Sequence, residues 1–219
     1  MASLTETHWE TITPDIRQVM AYLGQQSFIQ RFYMAGGTAL ALQIGHRRSL
    51  DLDFFSEMDE VLPDTQEEIL KALATLSPKT IERAIGNLVL EAKGVRLGFF
   101  SYGYPLVEPT QSVEGIALAS PMDIGLMKLD AIISRASRKD FYDLYFIAQI
   151  ISLDTLLEMG ETKYPFARDF EAEAVRGLVF FENADRDIQP DLLIHVPWDE
   201  VKEFFRSQAK VLAEKWLQP

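Results

Sequence analysis

The sequence predicts an α+β unit over residues 1–115 followed by a mainly helical unit over residues 116–219. Three observations predict it. Short strand-like runs alternate with helical stripes up to about residue 118. Ser120-Pro121-Met122-Asp123 then supplies an N-cap, a first-turn proline and an early acid, and almost every later segment carries a helical period. Repeats and low-complexity runs are absent, so periodicity alone organises the chain.

Taken in order, Thr13 to Phe32 reads as a helix. Thr13 suits the cap, Pro14 the first turn and Asp15 the positive helix end, while Ile16, Val19, Met20 and Leu23 form one apolar stripe. Phe32 to Ala35 reads as a short strand, broken by Gly36-Gly37-Thr38. Ala39 to Ile44 is helix material that stops at Gly45. Leu50 to Phe55 is a second strand, followed by an acidic loop from Ser56 to Asp64. A helix over Thr65 to Leu76 precedes two antiparallel strands, Asn87 to Ala92 and Val95 to Tyr102, joined through Lys93-Gly94. Phe54-Phe55, Phe99-Phe100, Phe180-Phe181 and Phe204-Phe205 read as core rather than as base-stacking platforms.

Composition narrows the chemistry. With no cysteine, thiolate catalysis, disulfides and cysteine-ligated zinc are excluded. The polar start lacks the pattern of a signal peptide and no run is long and apolar enough for a membrane span, so a cytoplasmic protein without a membrane partner is expected. A formal net charge of −12 disfavours whole-molecule attraction to polyanions, so a nucleic-acid partner would need a local basic patch. Candidates are His46-Arg47-Arg48 and the stretch from Arg135 to Lys139.

Three clusters carry chemistry. Gly36-Gly37-Thr38 lies between a strand and a helix, where glycines allow a tight turn and free amides attract phosphate, although on these residues alone a plain turn is the better explanation. Asp51 and Asp53 alternate with Leu50, Leu52 and Phe54, so both carboxylates project from one face of a strand, roughly 6.6 Å apart at their roots. Such a pair can converge on hard cations of the kind used in phosphoryl and nucleotidyl transfer, or can be two solvated acids. In the third cluster Lys128 and Arg135 share a helix face, able to meet one polyanion. Asp140 and Asp143 share another, which a solvated helix surface with a Lys139–Asp143 ion pair would also explain.

The run from Ala35 through Gly36-Gly37-Thr38 to Arg48-Ser49-Leu50-Asp51-Leu52-Asp53-Phe54-Phe55 closely resembles the signature of the AbiEii/AbiGii-type nucleotidyltransferase toxins. The segment from Lys128 through Arg135 and Arg138-Lys139-Asp140-Phe141-Tyr142-Asp143-Leu144 is similar to that family's second motif. The resemblance runs from about residue 30 to 195 and includes Asn183-Ala184-Asp185. It implies the fold of the DNA polymerase β-like nucleotidyltransferases, a mixed sheet with flanking helices and then a helical C-terminal domain. It also implies magnesium-dependent transfer of a nucleotide from an NTP to an RNA, tRNA included, or a protein acceptor, in a toxin paired with a cognate antitoxin. Carried onto this chain, Gly36, Gly37, Thr38, Arg48 and Ser49 would bind the triphosphate, Asp51 and Asp53 the metal, and Lys128 the phosphates, with Asp143 completing the site. His46 and Arg47 would flank the phosphates. Superfamily polymerases carry a third carboxylate on a following strand, yet Val95 to Tyr102 has none; Glu91 and Asp143 are the substitutes. The other reading is a nucleotide-binding or partner-binding module that has kept the fold without turnover.

Overall fold

The computed structural model describes residues 2, 3 and 6–216, and the chain divides into two compact units at Ser120/Pro121. The first is built on an eight-stranded mixed sheet, β1 (Ala2–Ser3), β2 (Tyr33–Ala35), β3 (Asp51–Ser56), β4 (Lys79–Ala84), β5 (Asn87–Ala92), β6 (Val95–Ser101), β7 (Gln111–Val113) and β8 (Ile116–Leu118), in the order β1-β7-β8-β2-β3-β6-β5-β4. The strand that bears the two aspartates is therefore interior. It pairs antiparallel with β2 and parallel with β6, placing Ala35 and Gly98 on either side of Asp53 and Arg96 beside Asp51.

Its helices are α1 (Pro14–Leu23), α2 (Gly36–Ile44) and α3 (Pro63–Ala72). Thr13 caps α1 by accepting from the Ile16 amide, and the predicted stripe of Ile16, Val19, Met20 and Leu23 is buried. α1 stops at Leu23, short of the predicted Phe32; Gly24 follows, and Ser27–Arg31 form a separate tight turn. Phe28, Phe32, Phe54 and Phe99 pack together in the core, with Phe54 and Phe99 stacked at 5.1 Å. Burying each such ring contributes roughly 1.5–3 kcal/mol. The β5–β6 hairpin turns at Lys93-Gly94 as the sequence predicts, both residues having positive φ (51° and 74°), the backbone a two-residue turn requires. Strand β4 is not anticipated. It is exposed along its whole length, lies at the sheet edge, and its register with β5 shifts between Thr80 and Glu82, so no alternation of burial marks it.

The second unit is helical: α4 (Pro121–Ser134), α5 (Arg138–Ile147), α6 (Leu153–Glu158), α7 (Gly160–Lys163), α8 (Phe170–Gly177), α9 (Glu182–Arg186) and α10 (Trp198–Trp216). Phe141, Phe181, Trp198 and Phe205 form its aromatic centre. Lys163 and Asp123 form an ion pair at 2.8 Å with both side chains fully buried.

Candidate active site

In β3 burial alternates as the sequence predicts: Asp51, Asp53 and Phe55 are half-buried, and Leu52, Phe54 and Ser56 are buried. The aspartates thus share the sheet face opposite the phenylalanine core. The carboxylate of Asp53 lies between two glycines: a Cβ added at Gly36 would stand 3.4 Å from its Oδ2, and one added at Gly98 would stand 3.0 Å from its Oδ1. Gly36 has φ of +73°, which glycine adopts without strain, and it opens α2. Ala35, the cap residue of α2, supplies no side-chain acceptor to the first amides of this helix, and a helix start of that kind attracts anions.

Around that helix start the resemblance placed Gly37, Thr38, Arg48 and Ser49. A Cβ at Gly37 would overlap the Arg47 guanidinium and approach the Ser49 hydroxyl at 3.3 Å, so Gly37 is where the loop, the arginine and the serine meet. Ser49 is held by its amide, which donates to the Thr11 carbonyl at 2.9 Å. The arginine that packs here is the buried Arg47, whose Nη1 also donates to the Arg48 carbonyl at 2.9 Å, while Arg48 is exposed. Adjacent residues on an extended chain point apart, which is why the two differ. Thr38 needs a correction: its side chain is buried and its hydroxyl donates to the Asp51 carbonyl. It ties β3 to α2, and only its backbone amide belongs to the helix start.

Glu91, a substitute for the missing third carboxylate, shares the face of Asp51 but stands two strands away. The register runs Asp51, Arg96, Glu91, Lys79 across β3, β6, β5 and β4, alternating in charge, with an arginine between the two acids. Among the described residues no group of three or more acidic or histidine side chains is placed to share one metal ion. Asp51 and Asp53 nevertheless fit a hard divalent cation. Both offer oxygen donors on one face, and the Asp53 carboxylate is flanked by glycines rather than by crowding side chains.

In the helical unit Lys128 of α4 donates to Asp140 Oδ1 at 2.9 Å and pairs with Asp143 Oδ2 at 2.7 Å, both acids on α5. Both acids are fully buried, which overturns the reading of a solvated face. Arg135 also donates to Asp140, from Nε and Nη2 at 2.9 Å each, so the anion that Lys128 and Arg135 share is a carboxylate of their own unit rather than a polyanion. Burial pushes the Asp140 carboxyl up, but Lys128, Arg135 and Ser137 outweigh it and hold it well below the usual carboxylate range. The sequence put Asp140 on one helix face with Asp143, three residues apart, but gave it no role in the site. Arg138 is no open basic patch either, since it donates to the Ala184 and Asp185 carbonyls at 2.7 and 2.9 Å. The Asn183-Ala184-Asp185 segment thereby docks onto the start of α5, with Asn183 donating to the Arg135 carbonyl.

A family model describing nucleotidyl transferase AbiEii toxins of type IV toxin–antitoxin systems matches residues 18–216. The chain belongs to the AbiEii family. An uncharacterized protein of Aquifex aeolicus (strain VF5) is 37% identical over 188 residues, covering 84% of this chain and 88% of that one. The fold is that of solved nucleotidyltransferases. The toxin MenT4 of Mycobacterium tuberculosis H37Rv aligns with a TM-score of 0.58 at 19% identity, over 91% of this chain and 82% of that one. JHP933 of Helicobacter pylori aligns at 0.54 and 17% identity, over 93% and 90%. The AbiEii match spans both units and both motifs, the glycine turn with its aspartate strand and the lysine with its α5 acids. Among the described residues no helix is long and apolar enough to cross a membrane.

Proposed function

We propose that this chain transfers a nucleotide from a magnesium-bound NTP to an acceptor hydroxyl, as the toxin of a toxin–antitoxin pair. The observation that carries the reading is the meeting, at one end of β3, of the α2 N-terminus at Gly36-Gly37, the Ser49 hydroxyl, the Arg47 guanidinium and the Asp51/Asp53 pair. An anion site abuts two carboxylates there, the combination a metal-bound triphosphate requires. The amides of Gly36 and Gly37, with Ser49 and Arg47, would hold the β- and γ-phosphates, and Asp51 and Asp53 would hold the ion. When bound, that ion supplies charge neutralisation to the phosphates and to the leaving pyrophosphate.

In the reaction the acceptor oxygen attacks the α-phosphorus and a new P–O bond forms. The bond from that phosphorus to the bridging oxygen breaks, pyrophosphate leaves, and the hydroxyl proton passes to water. Lys128, which the family resemblance gives to the phosphates, is held within the helical unit by Asp140 and Asp143. The test is incubation of the full chain with radiolabelled NTPs, cellular RNA and cellular protein. Label should enter an acceptor with magnesium, and not with a chelator or in Asp51→Ala. Binding of NTP without transfer, unchanged in Asp51→Ala, would leave a module without turnover. Co-purification with the product of an adjacent gene, with loss of toxicity on co-expression, tests the antitoxin pairing.

A further inference from the structure

The residues of β6 that share the aspartate face are Arg96, Gly98 and Phe100, level in the register with Asp51, Asp53 and Phe55. Phe55 and Phe100, expected in the core, are half-buried and continue that face beyond the acids. Arg96, at the other end, is exposed. Asp51 stands beside it on β3 and Glu91 beside it on β5, at the spacing where opposite charges on neighbouring strands meet. Among the described residues, however, its guanidinium forms an ion pair or hydrogen bond with neither. Other arginines of this unit are engaged: Arg17 pairs with Glu114, Arg31 with Asp59 and Glu68, and Arg83 with Glu67, while Arg47 donates to the Arg48 carbonyl. Arg96 thus keeps a cation uncommitted at the edge of the candidate site.

Its place relative to the helix start decides what it can meet. Gly36 and Gly37 follow Ala35, the partner of Asp53 on β2, and the Arg47 guanidinium and Ser49 hydroxyl gather at Gly37. Those groups lie on the β2 side of β3, and Arg96 lies on the β6 side, level with Asp51. A triphosphate with its outer phosphates at the helix start and the aspartates beneath it brings its α-phosphate toward Arg96. In-line transfer needs positive charge on both the entering and the leaving side of that phosphate, which paired ions supply in many enzymes. Asp51 and Asp53 can hold an ion, but among the described residues no third acidic or histidine side chain joins them. Resting on the transferase reading above, we propose that Arg96 is a catalytic residue whose guanidinium grips the α-phosphate, so that transfer runs on one ion and one arginine. The planar fork binds two phosphoryl oxygens at once and stays charged at any pH the chain meets. It neutralises the charge that gathers on those oxygens as the new P–O bond forms and the bond to pyrophosphate breaks. It takes no proton, and the acceptor's proton passes to water as before. Because the arginine is in place before any nucleotide binds, part of the affinity for the triphosphate persists without metal.

The test is equilibrium dialysis of the full chain against radiolabelled ATP, CTP, GTP and UTP, in EDTA and in magnesium, beside transfer assays on cellular RNA and protein. In EDTA the wild type should retain NTP and Arg96→Gln should bind it about tenfold more weakly. Arg96→Lys, which keeps the charge without the fork, should fall between the two. In magnesium, Arg96→Gln should lower kcat about a hundredfold or more. Its thermal unfolding should match the wild type, since the side chain is exposed and unpaired. Electron paramagnetic resonance of manganese, added with a non-hydrolysable NTP analogue, should count one bound ion per chain. Equal binding by wild type and Arg96→Gln in EDTA, an unchanged kcat, or two bound ions per chain would each overturn the assignment. The transferase reading fails separately, by the wild type labelling nothing, and dialysis in EDTA then still decides whether Arg96 holds a triphosphate.

Discussion

The molecule carries two pairs of aspartates, and they are built to opposite ends. Asp51 and Asp53 sit two apart on an interior strand, half-buried, with glycines flanking the Asp53 carboxylate. Asp140 and Asp143 sit three apart on a helix, fully buried, closed around Lys128 with Arg135 on the outer side of Asp140. Burial of a charge is tolerable only with an opposite charge in contact, so the helical pair is a finished structure whose cation is part of the chain. The strand pair stays half-buried, which leaves it the access that a cation from outside would need.

Substitutions should separate the two. On the proposed reading Asp51→Asn removes a ligand of the ion, so transfer should fall about a thousandfold or more while urea unfolding shifts little. A variant that loses stability in step with activity would erase the contrast. In the helical unit Lys128→Met removes the buried cation that Asp140 and Asp143 share, and Lys163→Met removes the one paired with Asp123. Each should lower stability by about 3–5 kcal/mol in denaturant titrations, and the double change Asp123→Leu with Lys163→Met should recover most of that loss.

Acid should discriminate as well. The Asp140 carboxyl is held below its unfolded value of 3.8. Its contribution to stability is therefore complete above that value and is lost as pH falls below it toward the lowered folded value. Asp140→Asn should flatten the decline of stability below about pH 4 relative to the wild type, measured by unfolding free energy across pH. The smallest effect belongs to Thr38→Val. Losing the bond to the Asp51 carbonyl should cost about 1 kcal/mol of stability with KM for NTP unchanged, and a raised KM would instead put the hydroxyl on a phosphate.

The strand pair was legible in the sequence because alternation alone sets which side chains share a face, and Leu52 and Phe54 showed which face was core. The glycine turn was legible because a tight entry into a helix needs glycine. The helical pair was misread in its surroundings. Spacing on α5 placed Asp140 and Asp143 on one face, but that the face meets Lys128 of α4 rather than water is a tertiary fact invisible to periodicity. Arg47 and Arg48 are neighbours on an extended chain and point apart, and which of the two turns inward was not legible in the sequence. Phe55 and Phe100 were hidden by their neighbours, since each stands next to a phenylalanine that does belong to the core. β4 escaped because an exposed margin has no burial pattern to read.

That margin has a consequence of its own. A terminal strand offers its outer amides and carbonyls to any extended segment that comes alongside, and another molecule of the same sequence is always available to supply one. Here the slip between Thr80 and Glu82 breaks the even spacing such a recruit would need, and Lys79, Glu82 and Arg83 make the approach costly to dehydrate. The irregularity that made the strand hard to foresee also discourages it from templating growth of the sheet beyond its eighth member.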